Sequence, residues 1–393
     1  MSEIKVNSIK GVGASTAAIS IDNSSGTCTA NITSVNGGQL GGRNLLINGD
    51  MRLNQRFGTA SMNATNGNLY SLDRWVTAND NATSRFTVQQ VEDAPVGFYY
   101  SLKATSTSAH TPASGEVFGF GQKIEGYNTN WLEFGTSNAK SITISFFVKS
   151  SLTGTFGGSV LNNGMTRGFP FTYTISSANT WENKTVTVIG CPDGTWDPTN
   201  TTGIRVHWSM GAHANRSDTA GQWSSTTFSF HPTGATDVVA TNGATLQVTG
   251  CQVEEGNTAT LFEHRPFQQE LALAQRYFTL INADGSIDNF APVGIGRFYS
   301  SFQAQIFIPL PNSMRQPPTI EAGSTTAADT FAINQDGGFT AGVCNSLALN
   351  ERSFTSITLS VTSSTISGQT TGTATTMYCD GSDNAKLGLT AEL

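Results

Sequence analysis

Ile204-Arg205-Val206-His207-Trp208-Ser209-Met210 alternates apolar and polar residues without a break. Successive side chains of a β-strand point to opposite faces. Ile204, Val206, Trp208 and Met210 therefore share one face, and Arg205, His207 and Ser209 the other. The same period of two recurs at Arg85-Phe86-Thr87-Val88, at Ser141-Ile142-Thr143-Ile144-Ser145-Phe146 and at Thr185-Val186-Thr187-Val188. Further on, Leu246 and Val248 keep one parity while Cys251 and Val253 keep the other. This predicts a β-bulge at Thr249-Gly250, where glycine is the expected residue. Short strands separated by Gly, Asn, Pro and Asp turns predict a jelly-roll β-sandwich over residues 43–265.

Outward from this region the pattern changes twice. Gln268-Gln269-Glu270-Leu271-Ala272-Leu273-Ala274-Gln275-Arg276-Tyr277-Phe278 holds strong helix formers, with Leu271, Ala274 and Phe278 at helical spacing and Pro266 just ahead. One short helix is predicted within residues 266–280, linking two β-domains. Residues 281–393 return to alternation at Phe302-Gln303-Ala304-Gln305-Ile306-Phe307-Ile308, at Ile357-Thr358-Leu359-Ser360-Val361 and at Leu387-Gly388-Leu389. They predict a smaller C-terminal β-domain, so the fold class is all-β. Residues 1–42 carry Ile4, Val6 and Ile9 ahead of Gly11-Val12-Gly13, then the strand-like Ala18-Ile19-Ser20-Ile21-Asp22, and end in the glycine-rich Asn36-Gly37-Gly38-Gln39-Leu40-Gly41-Gly42. A segment this small cannot bury a core alone. This segment is expected to need partner chains or a docking surface.

Charge narrows the function classes. Only 12% of the 393 residues are charged, about half the usual share. The net charge is −7 and no block of Lys and Arg exists, which argues against binding nucleic acid through its phosphates. No apolar run reaches the length of a membrane span, and Met1-Ser2-Glu3-Ile4-Lys5-Val6-Asn7 lacks the apolar core of a secretion signal. Few charges also make close packing of identical subunits electrostatically cheap. The combination fits a particle-borne protein assembled inside a host and released by lysis.

Enzyme chemistry finds little support. No His-Glu-x-x-His, Gly-x-Ser-x-Gly or Gly-x-x-x-x-Gly-Lys occurs. His110, His207, His213, His231 and His264 are isolated along the chain, so neither a metal nor a cofactor is expected. Cys28, Cys191, Cys251, Cys344 and Cys379 form no CxxC pair and read as small buried hydrophobes. Pairing of Cys191 with Cys251, or of Cys344 with Cys379, stays open. Asp193 and Asp197 flank Trp196 in Cys191-Pro192-Asp193-Gly194-Thr195-Trp196-Asp197-Pro198. They read as turn carboxylates, or as a carboxylate pair across a sugar cleft. Sugar binding needs exposed aromatic faces with amides and carboxylates beside them. Trp131, Trp196 with Asp193 and Asp197, and Trp223 are the candidates.

Three stretches bring a family into view: Asn44-Leu45-Leu46-Ile47-Asn48-Gly49-Asp50-Met51 with Asn54-Gln55-Arg56; Tyr70-Ser71-Leu72-Asp73-Arg74-Trp75; and Gln252-Val253-Glu254-Glu255-Gly256-Asn257-Thr258-Ala259-Thr260 with Phe262-Glu263, Arg265-Pro266 and Glu270–Phe278. In this order they resemble a module of phage tail fibre and receptor-binding proteins, frequent in phages of cyanobacteria and marine bacteria. Its jelly roll is similar to carbohydrate-binding modules. Ile306-Phe307-Ile308-Pro309-Leu310-Pro311 and the Met314–Ile320 stretch also resemble the region C-terminal to the module in these proteins. The resemblance implies a homotrimeric fibre on the virion. Residues 1–42 would dock onto tail or other virion proteins, and distal surfaces would meet host polysaccharide or lipopolysaccharide. By analogy with carbohydrate modules it also brings in a calcium ion at Asp50, Asp237 or Glu254. Two other readings are a virion-borne polysaccharide depolymerase using Asp193 and Asp197, and an architectural capsid or tail decoration with no receptor.

Overall fold

The computed structural model describes residues 42–284, 291–321, 331–334, 341–363, 365–379 and 384–393, with five short strands before them. Those strands are β1 (Ser8–Ile9), β2 (Ile19–Ile21) and β3 (Cys28–Ala30), an antiparallel sheet in that order, and the hairpin of β4 (Ser34–Val35) with β5 (Gly38–Gln39). Apart from Gly42, the rest of the anchoring segment expected over residues 1–42 lies outside the described residues.

Alternation becomes strand wherever it is clean. The strands are β6 (Met62–Asn63), β7 (Trp75–Asn79), β8 (Phe86–Val91), β9 (Ser101–Ser106), β10 (Val117–Glu125), β11 (Ile142–Ser150), β12 (Gly154–Asn162), β13 (Gly168–Ile175), β14 (Glu182–Val188), β15 (Thr202–Ala212), β16 (Ser217–Asp218), β17 (His231–Pro232) and β18 (Thr245–Glu255). Two antiparallel sheets form a jelly-roll-like sandwich, in the orders β13-β12-β15-β10-β7 and β14-β11-β18-β9-β8-β6. Their facing sides bury one core that includes Trp75, Phe86, Phe118, Phe120, Phe146, Phe156, Phe171 and Trp208. Trp75 and Trp208 meet at 5.5 Å between centroids, and Phe146 stands edge-on to Trp208. The bulge falls where the parity changes. Ser145 pairs Gln252 and Phe147 pairs Thr249, so Gly250 and Cys251 stand opposite Phe146 alone. Gly250 has φ +58°, and the Phe98 ring packs where a side chain would begin.

The helix α1 runs Phe267–Gln275. Phe278, expected on its apolar face, instead opens β19 (Phe278–Asp284) by pairing with Thr390. Strand pairing beyond the helix's end overrides the helical spacing. Next come β20 (Pro292–Phe298), β21 (Gln303–Pro309), β22 (Thr319–Ile320), β23 (Phe331–Asn334), β24 (Ala341–Arg352), β25 (Ser356–Ser363), β26 (Ala374–Cys379) and β27 (Asn384–Thr390). A closed barrel runs β20-β21-β25-β24-β23-β26, and β19-β27-β22 forms a separate three-stranded sheet. Cys191, Cys251, Cys344 and Cys379 are buried and lie in no disulfide, so neither open pairing forms. Among the described residues no helix is long and apolar enough to cross a membrane.

The three quoted stretches converge on one buried polar junction. Asn48 is buried at φ +59°. Its amide donates to the Leu53 and Asp73 carbonyls at 2.8 and 3.0 Å and accepts from the Leu53 amide at 2.9 Å. Its carbonyl takes the Trp75 indole N–H at 2.9 Å, and its N–H donates to Glu270. Asn44 accepts from the Leu46 and Val253 amides and donates to the Cys251 carbonyl, lacing this segment onto β18. Arg265 donates to the Leu46 carbonyl and pairs with Glu263 and Glu270. Arg74, at φ +70°, places its guanidinium 3.5 Å from the Tyr277 ring centroid, donates to the Lys123 carbonyl and pairs with Glu392. Arg56 lies 3.7 Å over the Phe278 ring and pairs with Glu392 at 3.1 Å and Glu321 at 3.2 Å. Arg276 grips Glu125 in a two-pronged pair, and the Tyr277 hydroxyl adds a third bond.

Glu392 is thus a buried carboxylate held by two guanidinium groups. Removing one partner of such a pair leaves uncompensated charge in a dry site, at a cost of about 3 kcal/mol or more. Glu392→Gln should lower the unfolding free energy by about that amount in urea titrations. Glu321→Gln, at a carboxylate 28% exposed, should cost under ~1 kcal/mol. Equal effects from the two substitutions would contradict this view of the junction.

Candidate functional site

Loops 126–138 and 190–201 close one end of the sandwich and carry most of the aromatic candidates. Gly126 and Tyr127 donate their N–H groups to the Thr201 and Thr199 carbonyls, and Gly135 donates to Cys191. Phe134, Trp196 and Trp223 meet edge to face at 4.8, 5.8 and 5.5 Å, and Trp223 also stands against Phe169. Both indole N–H groups are used inside the protein. Trp196 donates to the Asp193 carbonyl at 3.0 Å, and Trp223 to the Ile189 carbonyl at 2.7 Å. These two tryptophans pack against the sandwich core as partly buried residues. Trp131 differs: it is 39% exposed, and the Lys140 ammonium lies 5.4 Å from its ring centroid. Tyr127 is exposed on the same loop.

The structure therefore brings Trp196, Trp223, Asp193 and Asp197 into one packed loop cluster and leaves Trp131 open to solvent. The cleft beside Trp196, lined by Thr129, Asn130, Phe134 and Asp197, holds about 70 Å³. That is room for about two waters, not for a sugar ring.

The two carboxylates are occupied. Asp193 receives both prongs of Arg167, at 2.7 and 2.9 Å. Asp197 accepts from the Thr199 amide and hydroxyl. Hydrogen bonds from Arg167 hold the Asp193 carboxyl below the usual range, and those from Thr199 do the same for Asp197. Both are then ionised near neutral pH. Cleavage by a carboxylate pair requires one member to hold a proton.

One constellation gave no sequence signal. Across the outer face of the five-stranded sheet, Ser209 Oγ lies 2.8 Å from His231 Nδ1, and His231 Nε2 lies 3.7 Å from Asp237. The serine is buried, and its oxygen also accepts from the Gly211 amide at 3.1 Å. No motif spacing links these three residues, because a long surface segment folds back to join them. The arrangement pins residues 213–237 over the sheet, with Phe230 packed edge-on to His207 at 5.0 Å.

The carboxylates considered for calcium are dispersed into separate bonds. Asp50 pairs with Arg52 at 3.0 Å, Asp237 accepts from the Ala212 amide, and Glu254 takes Gln252 and Thr260. Among the described residues no group of three or more His, Cys, Asp or Glu side chains is placed to hold a metal ion.

No family model matches the chain, and no curated protein matches it. Solved structures show distant likenesses. The enzymatically active domain of tailspike protein 4 of bacteriophage CBA120 is 13% identical, with a TM-score of 0.30, over 54% of this chain and 21% of that one. A family 11 carbohydrate-binding module from Clostridium thermocellum, in complex with a mixed-linked tetrasaccharide, is 11% identical, with a TM-score of 0.26, over 53% and 99%. A xylan-binding domain from Paenibacillus barcinonensis is 9% identical, with a TM-score of 0.24, over 52% and 99%. The chain spans about a fifth of the tailspike chain it matches.

The covered sheet face has a pH signature. Burial, reinforced by nearby Arg205 and Lys123, pushes His207 from its usual 6.5 down to about 3. Between those values the unfolded chain holds a proton that the folded chain does not. This part of the stability is present above about pH 6.5 and is lost as pH falls toward 3. His207→Asn removes the titration. Its stability relative to the parent should therefore improve from about pH 7 to about pH 4 in thermal melts. A difference that stays constant with pH would show that His207 is not held neutral.

Proposed function

We propose that this chain is a phage tail fibre subunit, a virion protein without catalytic activity that forms homotrimers and binds glycan on the host cell surface. The observation that carries the reading is the contrast within the 126–138 and 190–201 loops. Asp193 and Asp197 are tied into an ion pair and a turn, while Trp131 stays exposed beside a cation. An exposed indole is the surface on which the C–H face of a sugar packs, and such binding needs few charges. The buried junction supports the same reading. It ties the sandwich, α1 and the C-terminal strands together, as suits a subunit that bears load between a virion and a cell. Residues 1–42 dock the subunit onto tail or other virion proteins.

Three measurements test this. Trp131→Ala should weaken binding to host cells or their surface polysaccharide about tenfold, as loss of a binding-centre tryptophan does. The purified protein should sediment as a trimer at micromolar concentration. Incubated host polysaccharide should keep its chain length. A monomer would overturn the fibre reading, and shortened polymer would overturn the non-catalytic one.

A further inference from the structure

A concavity of about 860 Å³ opens on the wall of the C-terminal barrel. Strand register arranges its lining in two cross-strand rows. Thr376, Ile295, Phe307 and Thr358 stand opposite one another across β26, β20, β21 and β25. Ala374, Arg297 and Gln305 form the next row. Alternate residues of the same strands, among them Phe298, Ala304, Ile306 and Leu359, fill the barrel core. The outward rows therefore stand on a packed wall. Ile295 is 68% exposed and Phe307 48%, unusual for apolar side chains at the centre of a sheet face. Among the described residues Arg297 finds no side-chain partner, and Gln305, Thr358 and Thr376 likewise keep free side-chain polar groups. Glu351, which pairs opposite Thr358 on the next strand, lies outside the lining.

An apolar centre, a ring of unpartnered neutral hydrogen-bonding groups and one unpaired guanidinium define the occupant. We propose that this groove binds an acidic polysaccharide, with a carboxylate-bearing sugar at Arg297. The planar guanidinium matches a carboxylate with two parallel bonds. Phe307 and Ile295 offer the platform for the C–H face of a pyranose ring, and the threonine hydroxyls and Gln305 meet its hydroxyl groups. Other occupants fit less well. The barrel is closed and offers no free edge for a peptide strand. A second copy of this chain would bury Arg297 without a carboxylate among the lining residues, which is costly. A nucleic acid would need a row of cations where the groove has one.

This inference rests on the glycan-binding reading above and adds the site and the ligand class. The test is affinity electrophoresis of the full chain through gels containing polygalacturonate, with neutral dextran in parallel. The net charge of −7 opposes general attraction to a polyanion, so retardation reports a local site. Polygalacturonate should retard the protein and dextran should not. Arg297→Gln should weaken retardation about tenfold, as loss of a charge-assisted bidentate bond implies, and Arg297→Lys less. Phe307→Thr should weaken it about as much as Arg297→Gln, by removing the apolar platform under the sugar ring. Sedimentation should be the same for every variant. No retardation by polygalacturonate, equal retardation by both polymers, or full retardation of Arg297→Gln would overturn the proposal. Dissociation of Phe307→Thr into smaller species would overturn it in favour of a second copy as occupant. Host-cell binding that depends on Trp131 and ignores Arg297 would overturn the groove while leaving the glycan-binding function standing.

Discussion

The buried carboxylate of Glu392 fixes the relation between the parts of this molecule. Arg56 and Arg74 reach it from the sandwich, while Arg315 binds the Ala391 and Glu392 carbonyls at 2.7 and 2.6 Å. The Tyr70 hydroxyl and the Lys123 ammonium both donate to the Leu393 carbonyl. Low dielectric makes these bonds strong and makes any missing partner expensive. Positions around them are constrained in turn. Arg74 adopts a left-handed backbone that costs a residue with a Cβ about 1 kcal/mol, because only that direction lays its guanidinium on Tyr277. Asn48 adopts the same conformation because one short amide must serve Leu53 and Asp73 together. Burial raises the Asp73 carboxyl, and Arg56 with the Gln55 amide pulls against that rise. The aspartate is tolerated in the interior only while those partners stay in place.

This network explains what was legible in the sequence. Asn-Leu-Leu-Ile-Asn-Gly-Asp, Asp-Arg-Trp and Arg-Tyr-Phe are recognisable because their polar residues, among them Asn44, Asn48, Asp73, Arg74, Trp75, Arg276 and Tyr277, each hold specific hydrogen bonds at the junction. Their partner Glu392 is invisible by the same logic. It stands 318 positions from Arg74 in a stretch without pattern. Alternation predicted the strands well wherever one face meets the core, and the parity change near Gly250 located the bulge. Alternation could not show that His207 and Ser209, on the opposite face of β15, are also covered. That depends on the 213–237 segment folding back, a long-range event decided by Phe230 and His231. Closure of the C-terminal strands into a barrel was equally hidden, since pairing between β23 and β26 leaves no local trace.

The candidate tryptophans divide by a similar rule. Trp131, Trp196 and Trp223 sit in loop sequence of the same character. Trp196 and Trp223 find acceptors for their indole N–H groups within the adjoining loops and become a small aromatic core. Trp131 remains at the surface. Asp193 and Asp197 look like a sugar-cleft pair only while Arg167 and Thr199 go unseen. Arg167 lies 26 positions from Asp193, and no spacing rule connects them. Local sequence reports which residues a loop contains, and tertiary packing decides which of them keep free valences.

On the proposed reading, recognition and structure are carried by different residues. The motifs that suggest kinship hold the modules together through buried hydrogen bonds and ion pairs. The proposed sites, at Trp131 and on the outer barrel rows around Phe307 and Arg297, lie where no motif points. The scarcity of charge makes the second place informative. In a chain with 12% charged residues, Arg56, Arg74, Arg167, Arg265, Arg276 and Arg315 all have partners. Among the described residues Arg297 has none, and it stands beside the exposed Phe307 ring and Ile295 on a packed barrel wall. Exposed apolar side chains cost solubility and invite self-association, and on the proposed reading a ligand that covers them and supplies the missing anion offsets that cost.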